Sequence, residues 1–260
     1  MEENVLFALA LTLIAGLCTG IGSLLSVVYQ RFNPKFLCLA LAFSAGVMIY
    51  VSFVEILGKA RSSLMSLYDV KTASIYTTLG FFAGIAFIAA LDRFLPESRL
   101  PQNNGKENEN DKLMRMGLFA ALALGLHNFP EGLATFMGAI ADPAYGVGIT
   151  VAIAIHNIPE GIAVAVPIFY ATKSRKKAFT YSFLSGLAEP AGALVGYFIL
   201  KNLMDDYFFG LIFSSVAGIM VYISLSELIP TANEYGNQRL TLWGIIGGML
   251  LMASSLILLM

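Results

Sequence analysis

Apolar residues run along this chain in eight blocks of membrane-crossing length, and short polar interruptions separate them. The blocks cover 5–28, 36–57, 73–95, 113–138, 146–170, 178–200, 207–229 and 240–260. A helix needs roughly 20 residues to cross about 30 Å of hydrocarbon, and each block has that length. Backbone groups in lipid must be satisfied within the segment, so only helices or a closed barrel can span. These blocks are too long and too continuously apolar for barrel strands, and the pattern predicts an all-α integral membrane protein. Interruptions such as Arg31-Phe32-Asn33-Pro34 and Ala141-Asp142-Pro143 read as turns between antiparallel neighbours. The one distinctly polar stretch, 96–112, alternates Glu, Asn, Asp and Lys; it cannot bury enough surface to fold alone and reads as a flexible cytoplasmic loop.

The expected plan is one membrane domain: transmembrane helices 1–3 in 1–95, the loop in 96–112, central helices 4 and 5 in 113–170, and helices 6–8 in 171–260. This is a 3+2+3 arrangement of eight transmembrane helices, and it permits an inverted pseudo-two-fold relation through the central pair. Composition agrees: 57% of the residues are hydrophobic, 13% are charged and mean hydropathy is +0.75, outside the range of a soluble domain. The N-terminal Met1-Glu2-Glu3-Asn4 has neither a basic region nor a cleavage site, so the first block is expected to stay as a membrane helix. With the N-terminus outside, twelve Lys and Arg fall on cytoplasmic connections, among them the cluster Lys173, Arg175, Lys176 and Lys177. Four fall outside: Lys59, Arg61, Lys71 and Lys201. That asymmetry predicts both termini outside a cell membrane. Cys18 and Cys38 lie within or at the edge of apolar blocks and read as small buried hydrophobes.

Polar chemistry enters in the middle of the fourth and fifth blocks. His127-Asn128-Phe129-Pro130-Glu131-Gly132 recurs as His156-Asn157-Ile158-Pro159-Glu160-Gly161, and these are the only two histidines in the chain. In a helix the residues four apart share a face, so each copy aims an imidazole, a carboxylate and an amide at a common centre. Pro130 and Pro159 remove an N–H, which frees the carbonyls of Leu126 and Ile155 and is expected to bend the helix. A third acid, Glu189, lies mid-block in Ser185-Gly186-Leu187-Ala188-Glu189-Pro190. Ionised, Glu131, Glu160 and Glu189 carry three negative charges, and no block centre holds a Lys or Arg to offset them. Each charge costs about 2.5–3.5 kcal/mol at a helix centre on the insertion scale, so the partner has to be protons or an imported cation. A single histidine in an apolar helix is usually a hydrogen-bonded core residue; two identical copies and a third acid point instead to a metal site.

Imidazole, carboxylate and amide ligands favour borderline divalent metals such as Zn, Fe, Mn, Co or Cd over Ca or Mg. Glu55 in the second block and Glu227 in the seventh flank the centre and could mark the entrance and exit of a cation path. Met48, seven residues before Glu55, shares its face. Glycine and alanine clusters, including Gly16, Gly20 and Gly22, Gly46, Gly80 and Gly84, and Gly244, Gly247 and Gly248, allow close helix packing. Two other functions compete with metal transport. An intramembrane metalloenzyme fits poorly, because HExxH is absent and every candidate base is needed as a ligand. In a proton-coupled carrier of an organic cation the histidines would be dispensable.

The paired HNxPEG motifs with a following acid in the sixth block resemble the ZIP family of divalent metal transporters over nearly the whole chain, and in particular its short, broad-metal branch. The resemblance implies a transporter rather than an enzyme, carrying metal into the cytosol through a binuclear site, with no prosthetic group and no nucleic-acid partner. It implies a first metal position made by His127, Glu131, His156 and Glu160. A second is implied at Asn128, Asn157 and Glu189, with Glu131 and Glu160 bridging. Met48 matches a second-helix methionine near the metal in a relative. The resemblance also implies a homodimer and an alternating-access motion of the central helices against a scaffold. Family members often carry a histidine-rich cytoplasmic loop; 96–112 has no histidine, so no metal-sensing role is expected of it.

Overall fold

A computed structural model describes residues 2–28, 33–94, 109–200 and 205–258. Among these, every regular element is helical. The elements are α1 (Glu2–Val28), α2 (Pro34–Val51), α3 (Leu57–Met65), α4 (Val70–Phe94), α5 (Glu109–Ala141), α6 (Pro143–Thr172), α7 (Arg175–Gly186), α8 (Ala188–Val195), α9 (Asp206–Ile223), α10 (Ile229–Tyr235) and α11 (Gln238–Leu258). A π-helical turn at Ser52–Ile56 joins α2 to α3, another at Ser224–Leu228 joins α9 to α10, and a third, Gly196–Leu200, follows α8.

The helices start where a small polar side chain can take the first free N–H groups. Asn33 accepts from Lys35 N at 3.1 Å, Asp69 from Lys71 N at 2.9 Å and Asp142 from Ala144 N at 3.0 Å. Ser174, Asp205 and Asn237 do the same for α7, α9 and α11. Pro34 and Pro143 then open α2 and α6, where a missing N–H costs nothing.

Six described helical segments are long and apolar enough to cross a membrane: Asn4–Leu25, Pro34–Met65, Val70–Leu91, Gly146–Thr172, Asp206–Tyr235 and Gln238–Ile257. The expected fourth and sixth spans are helical but do not qualify. α5 is 33 residues long, and His127, Asn128, Pro130 and Glu131 dilute its apolar character. The sixth is split at Leu187 into pieces of 12 and 8 residues. α5 also begins at Glu109, inside the 96–112 stretch expected to be a loop; positions 96–108 of that stretch lie outside the described residues.

Packing does not follow chain order. α1 lies chiefly against α6 and also touches α5, α7 and α8, while α5 lies against α6 and α8. In a second set, α2 packs on α10 and α11, and α9 on α3 and α4. The sets meet along α2 and α6, and along α5 and α9. Close approach at small residues holds as expected, since a Cβ on Gly46 would stand 2.9 Å from Ile245 Cα. Both described cysteines are free thiols.

The two π-helical turns that interrupt long rods share a sequence. Ala45-Gly46-Val47-Met48-Ile49-Tyr50-Val51-Ser52-Phe53-Val54-Glu55-Ile56 recurs as Ala217-Gly218-Ile219-Met220-Val221-Tyr222-Ile223-Ser224-Leu225-Ser226-Glu227-Leu228. In each copy the serine hydroxyl donates to the methionine carbonyl one turn back, at 2.7 Å from Ser52 and 2.8 Å from Ser224. Both methionines are fully buried. Met48, Glu55 and Glu227, expected singly, are thus members of one repeat.

Candidate metal centre

α5 supplies Asn128 and Glu131, α6 supplies His156, Asn157 and Glu160, and α8 supplies Glu189; all six side chains are buried. His156 Nε2 lies 2.8 Å from Glu131 Oε1. Asn157 Nδ2 donates to the Ala15 carbonyl at 2.9 Å and to Glu189 Oε1. Asn128 Nδ2 donates to the Ser185 carbonyl at 3.1 Å. An amide is planar, so tying its nitrogen to a neighbouring backbone fixes where its oxygen points, as outer-shell partners do for metal ligands. Asn128 Oδ1, Asn157 Oδ1 and Glu189 Oε2 have no hydrogen-bond partner among the described residues. Each buried unsatisfied acceptor costs about 1–3 kcal/mol. Three oxygen acceptors of this kind, with carboxylates beside them, make a set that a divalent cation satisfies.

The last residue of each motif positions its neighbours by having no side chain. A Cβ on Gly132 would stand 2.5 Å from Glu189 Cα, so only glycine lets α8 bring its acid beside α5. A Cβ on Gly161 would stand 2.9 Å from the Thr19 carbonyl carbon, so glycine likewise seats α1 on α6. α5 runs through Pro130 and α6 through Pro159 and Pro167 as continuous helices. A one-residue irregularity separates α7 from α8 at Leu187, two residues before Glu189.

Other expected residues are placed as follows. His127 lies in α5, and its side chain is outside the described residues. Met48 is fully buried in the core that α2 shares with Ala152 and Ile162 of α6, and Ser44 Oγ lies 4.0 Å from its sulfur. Glu55 is half-buried, with Lys59 Nζ 3.7 Å from its Oε1. It lines a narrow cavity of about 20 Å³ together with Glu131, Thr135, His156 and Phe213. Glu227 is half-buried in the second rod's π turn and is not among that cavity's lining residues. Among the described residues no three His, Cys, Asp or Glu side chains form a ready ligand group by themselves. The oxygen donors of Asn128 and Asn157 therefore matter to any ion held here. Sequence reasoning gave α1 no part in the centre, although Thr12, Thr19 and Ser23 form a fully buried polar series on it.

Residues 96–256 match the family profile described as ZIP Zinc transporter. The chain belongs to the ZIP zinc transporter family. It is 56% identical to the zinc transporter ZupT of Chlorobium chlorochromatii (strain CaD3) over 99% of each chain. Identity to the ZupT of Lysinibacillus sphaericus (strain C3-41) is 55% over the full length of both, and to that of Streptococcus mutans serotype c (strain ATCC 700610 / UA159) 53% over 99% of both. ZIP membership puts the chain among transporters, and the metalloenzyme alternative is set aside.

Proposed function

We propose that this ZIP protein carries zinc, and with it related divalent ions such as iron, manganese, cobalt or cadmium, across the cell membrane into the cytosol through two adjacent ion positions. The observation that carries the reading is the convergence of three hydrogen-bond-deficient buried oxygens, on Asn128, Asn157 and Glu189, beside Glu131, Glu160 and His156. His127, Glu131, His156 and Glu160 hold the first ion. Asn128, Asn157 and Glu189 hold the second, with Glu131 and Glu160 shared. An ion that takes His156 Nε2 has to separate it from Glu131, so binding displaces protons and weakens as the pH falls.

Glu55, at the cavity that leads to Glu131 and His156, serves as the entrance; Glu227, its counterpart in the sequence repeat, serves as the exit. Eight spans with both termini outside put these acids at opposite ends of the path. The division into two helix sets that meet along α2 and α6 supports an alternating-access motion of the metal-bearing set against the other, in a homodimer. Uptake of labelled zinc into proteoliposomes tests the function, and Glu160→Ala tests the site. Uptake is expected to fall to background in that variant; undiminished uptake rejects the assigned centre, and no uptake by the wild type rejects the function.

A further inference from the structure

Threonines in these helices, buried or not, have a standard way to satisfy the hydroxyl. Thr12, Thr77, Thr78, Thr135, Thr150 and Thr172 each donate to the carbonyl four residues earlier, at 2.7–2.9 Å. This back-bond is the default for a helical threonine without another partner. Thr19 departs from it. Its side chain is fully buried, and its Oγ1 has no hydrogen-bond partner among the described residues. The carbonyl it would use belongs to Ala15, and that oxygen receives Asn157 Nδ2 at 2.9 Å. The metal centre has drawn off the acceptor and left the hydroxyl without one.

The location of that hydroxyl is well defined. A Cβ on Gly186 would stand 3.0 Å from Thr19 Oγ1, so the hydroxyl lies over the end of α7. Gly186 follows Ser185, whose carbonyl holds Asn128, and precedes Glu189 by three residues. Thr19 itself is one helical turn from the carbonyl that holds Asn157. Asn128 is thus tied to the residue before Gly186, and Asn157 to the carbonyl one turn before Thr19. The seat is tight as well, since Gly161 of the second motif is the residue that lets the Thr19 backbone approach α6.

We propose that Thr19 supplies an oxygen donor from α1 to the second ion position, beside Asn128, Asn157 and Glu189. The inference rests on the two-position reading above. A neutral hydroxyl adds a ligand without adding charge, and it raises the number of oxygens around that ion. Harder, higher-coordinate ions such as manganese gain more from this than zinc, which is content with four ligands.

The test is calorimetric titration of the full-length protein in lipid nanodiscs with manganese or zinc alone. Wild type is expected to show two binding steps. Thr19→Val keeps the shape and removes the oxygen; it is expected to weaken the second manganese step about tenfold, the zinc step less, and the first step not at all. Thr19→Ser keeps the oxygen and is expected to retain the wild-type manganese step. An unchanged second step in Thr19→Val overturns the proposal, as does an equal loss in Thr19→Ser, which would assign the effect to methyl packing. If Thr19→Val does not fold, Thr19→Ala is read by the same criteria. A wild type with fewer than two steps defeats the two-position reading itself, a result distinguishable from either of these.

Discussion

Replacing Gly132 by alanine tests whether the glycine of the motif builds the metal centre or is merely helical filler. The new Cβ would stand 2.5 Å from both Cα and the carbonyl carbon of Glu189, where ordinary contact begins near 3.4 Å. The obstacle is backbone, so α8 has to move by about 1 Å relative to α5. Overpacking of this kind costs about 1–3 kcal/mol. With Glu189 in its proposed role as a ligand, the functional loss should be larger in proportion, because metal ligands tolerate displacements of only about 0.2 Å and Glu189 moves with α8. Zinc affinity is expected to fall about 10- to 100-fold, with a parallel loss of uptake in proteoliposomes. Gly125→Ala, on the same helix, is the control. No described atom lies within 4 Å of its Cβ position, so it should raise stability by about 0.5–1 kcal/mol and leave zinc uptake unchanged. Wild-type zinc affinity in Gly132→Ala would refute the claim that this glycine sets the position of Glu189.

Two further outcomes follow from the helix ends. Lys173, between α6 and α7, has φ of 54°, a conformation that costs a side chain roughly 1–2 kcal/mol. Lys173→Gly should therefore raise the denaturation midpoint, the gain being reduced by loss of the ammonium over the Tyr170 ring at 5.1 Å, while Lys173→Val should lower it. A valine variant as stable as wild type would sink the strain argument. Asp69 caps α4; hydrogen bonds from the Thr72 hydroxyl and from the backbone N–H groups of Thr72 and Lys71 hold its carboxyl below the usual carboxylate range. A lowered value means that the cap contributes above the unfolded-state pKa of about 3.9 and is lost as pH falls through the folded one. Thermal melts should show Asp69→Ala less stable than wild type at neutral pH, with the gap closing only in strong acid; a gap that closes near pH 6 would count against it.

The membrane class, the two motif copies and Glu189 were legible because each leaves a side-chain signature against an apolar background. The start of α5 was not. Glu109 and Asp111 belong to a stretch whose composition suits a loop, but acids in a first helical turn are favoured by the helix dipole. The repeat containing Met48 and Glu55, and Met220 and Glu227, stood in the sequence unseen, because outside those residues it looks like any membrane helix. Two π turns at matching places bring it out. The part played by α1 was the least legible, since the Ala15 carbonyl that orients Asn157 has no side-chain mark at all. Thr19 had one, but a threonine in a membrane helix is normally satisfied by its own backbone.

The sixth apolar block differs from the two motif copies in the order of its proline and glutamate. In both HNxPEG copies proline precedes glutamate, and the helix carries on; in the sixth span glutamate precedes proline, and the helix stops at Leu187 and starts again at Ala188. Pro190, like Pro130 and Pro159, has no N–H to offer the carbonyl four residues back, here that of Gly186. The irregularity is local: Leu187 keeps right-handed helical dihedrals and its N–H bonds the Phe183 carbonyl at 3.0 Å, and Glu189 follows two residues later in the first turn of α8. The same interruption lies beside the Ser185 carbonyl, which takes the Asn128 amide. Glu-Pro in place of Pro-Glu thus coincides with an irregular turn at the point where Ser185 receives the Asn128 amide and Glu189 receives that of Asn157.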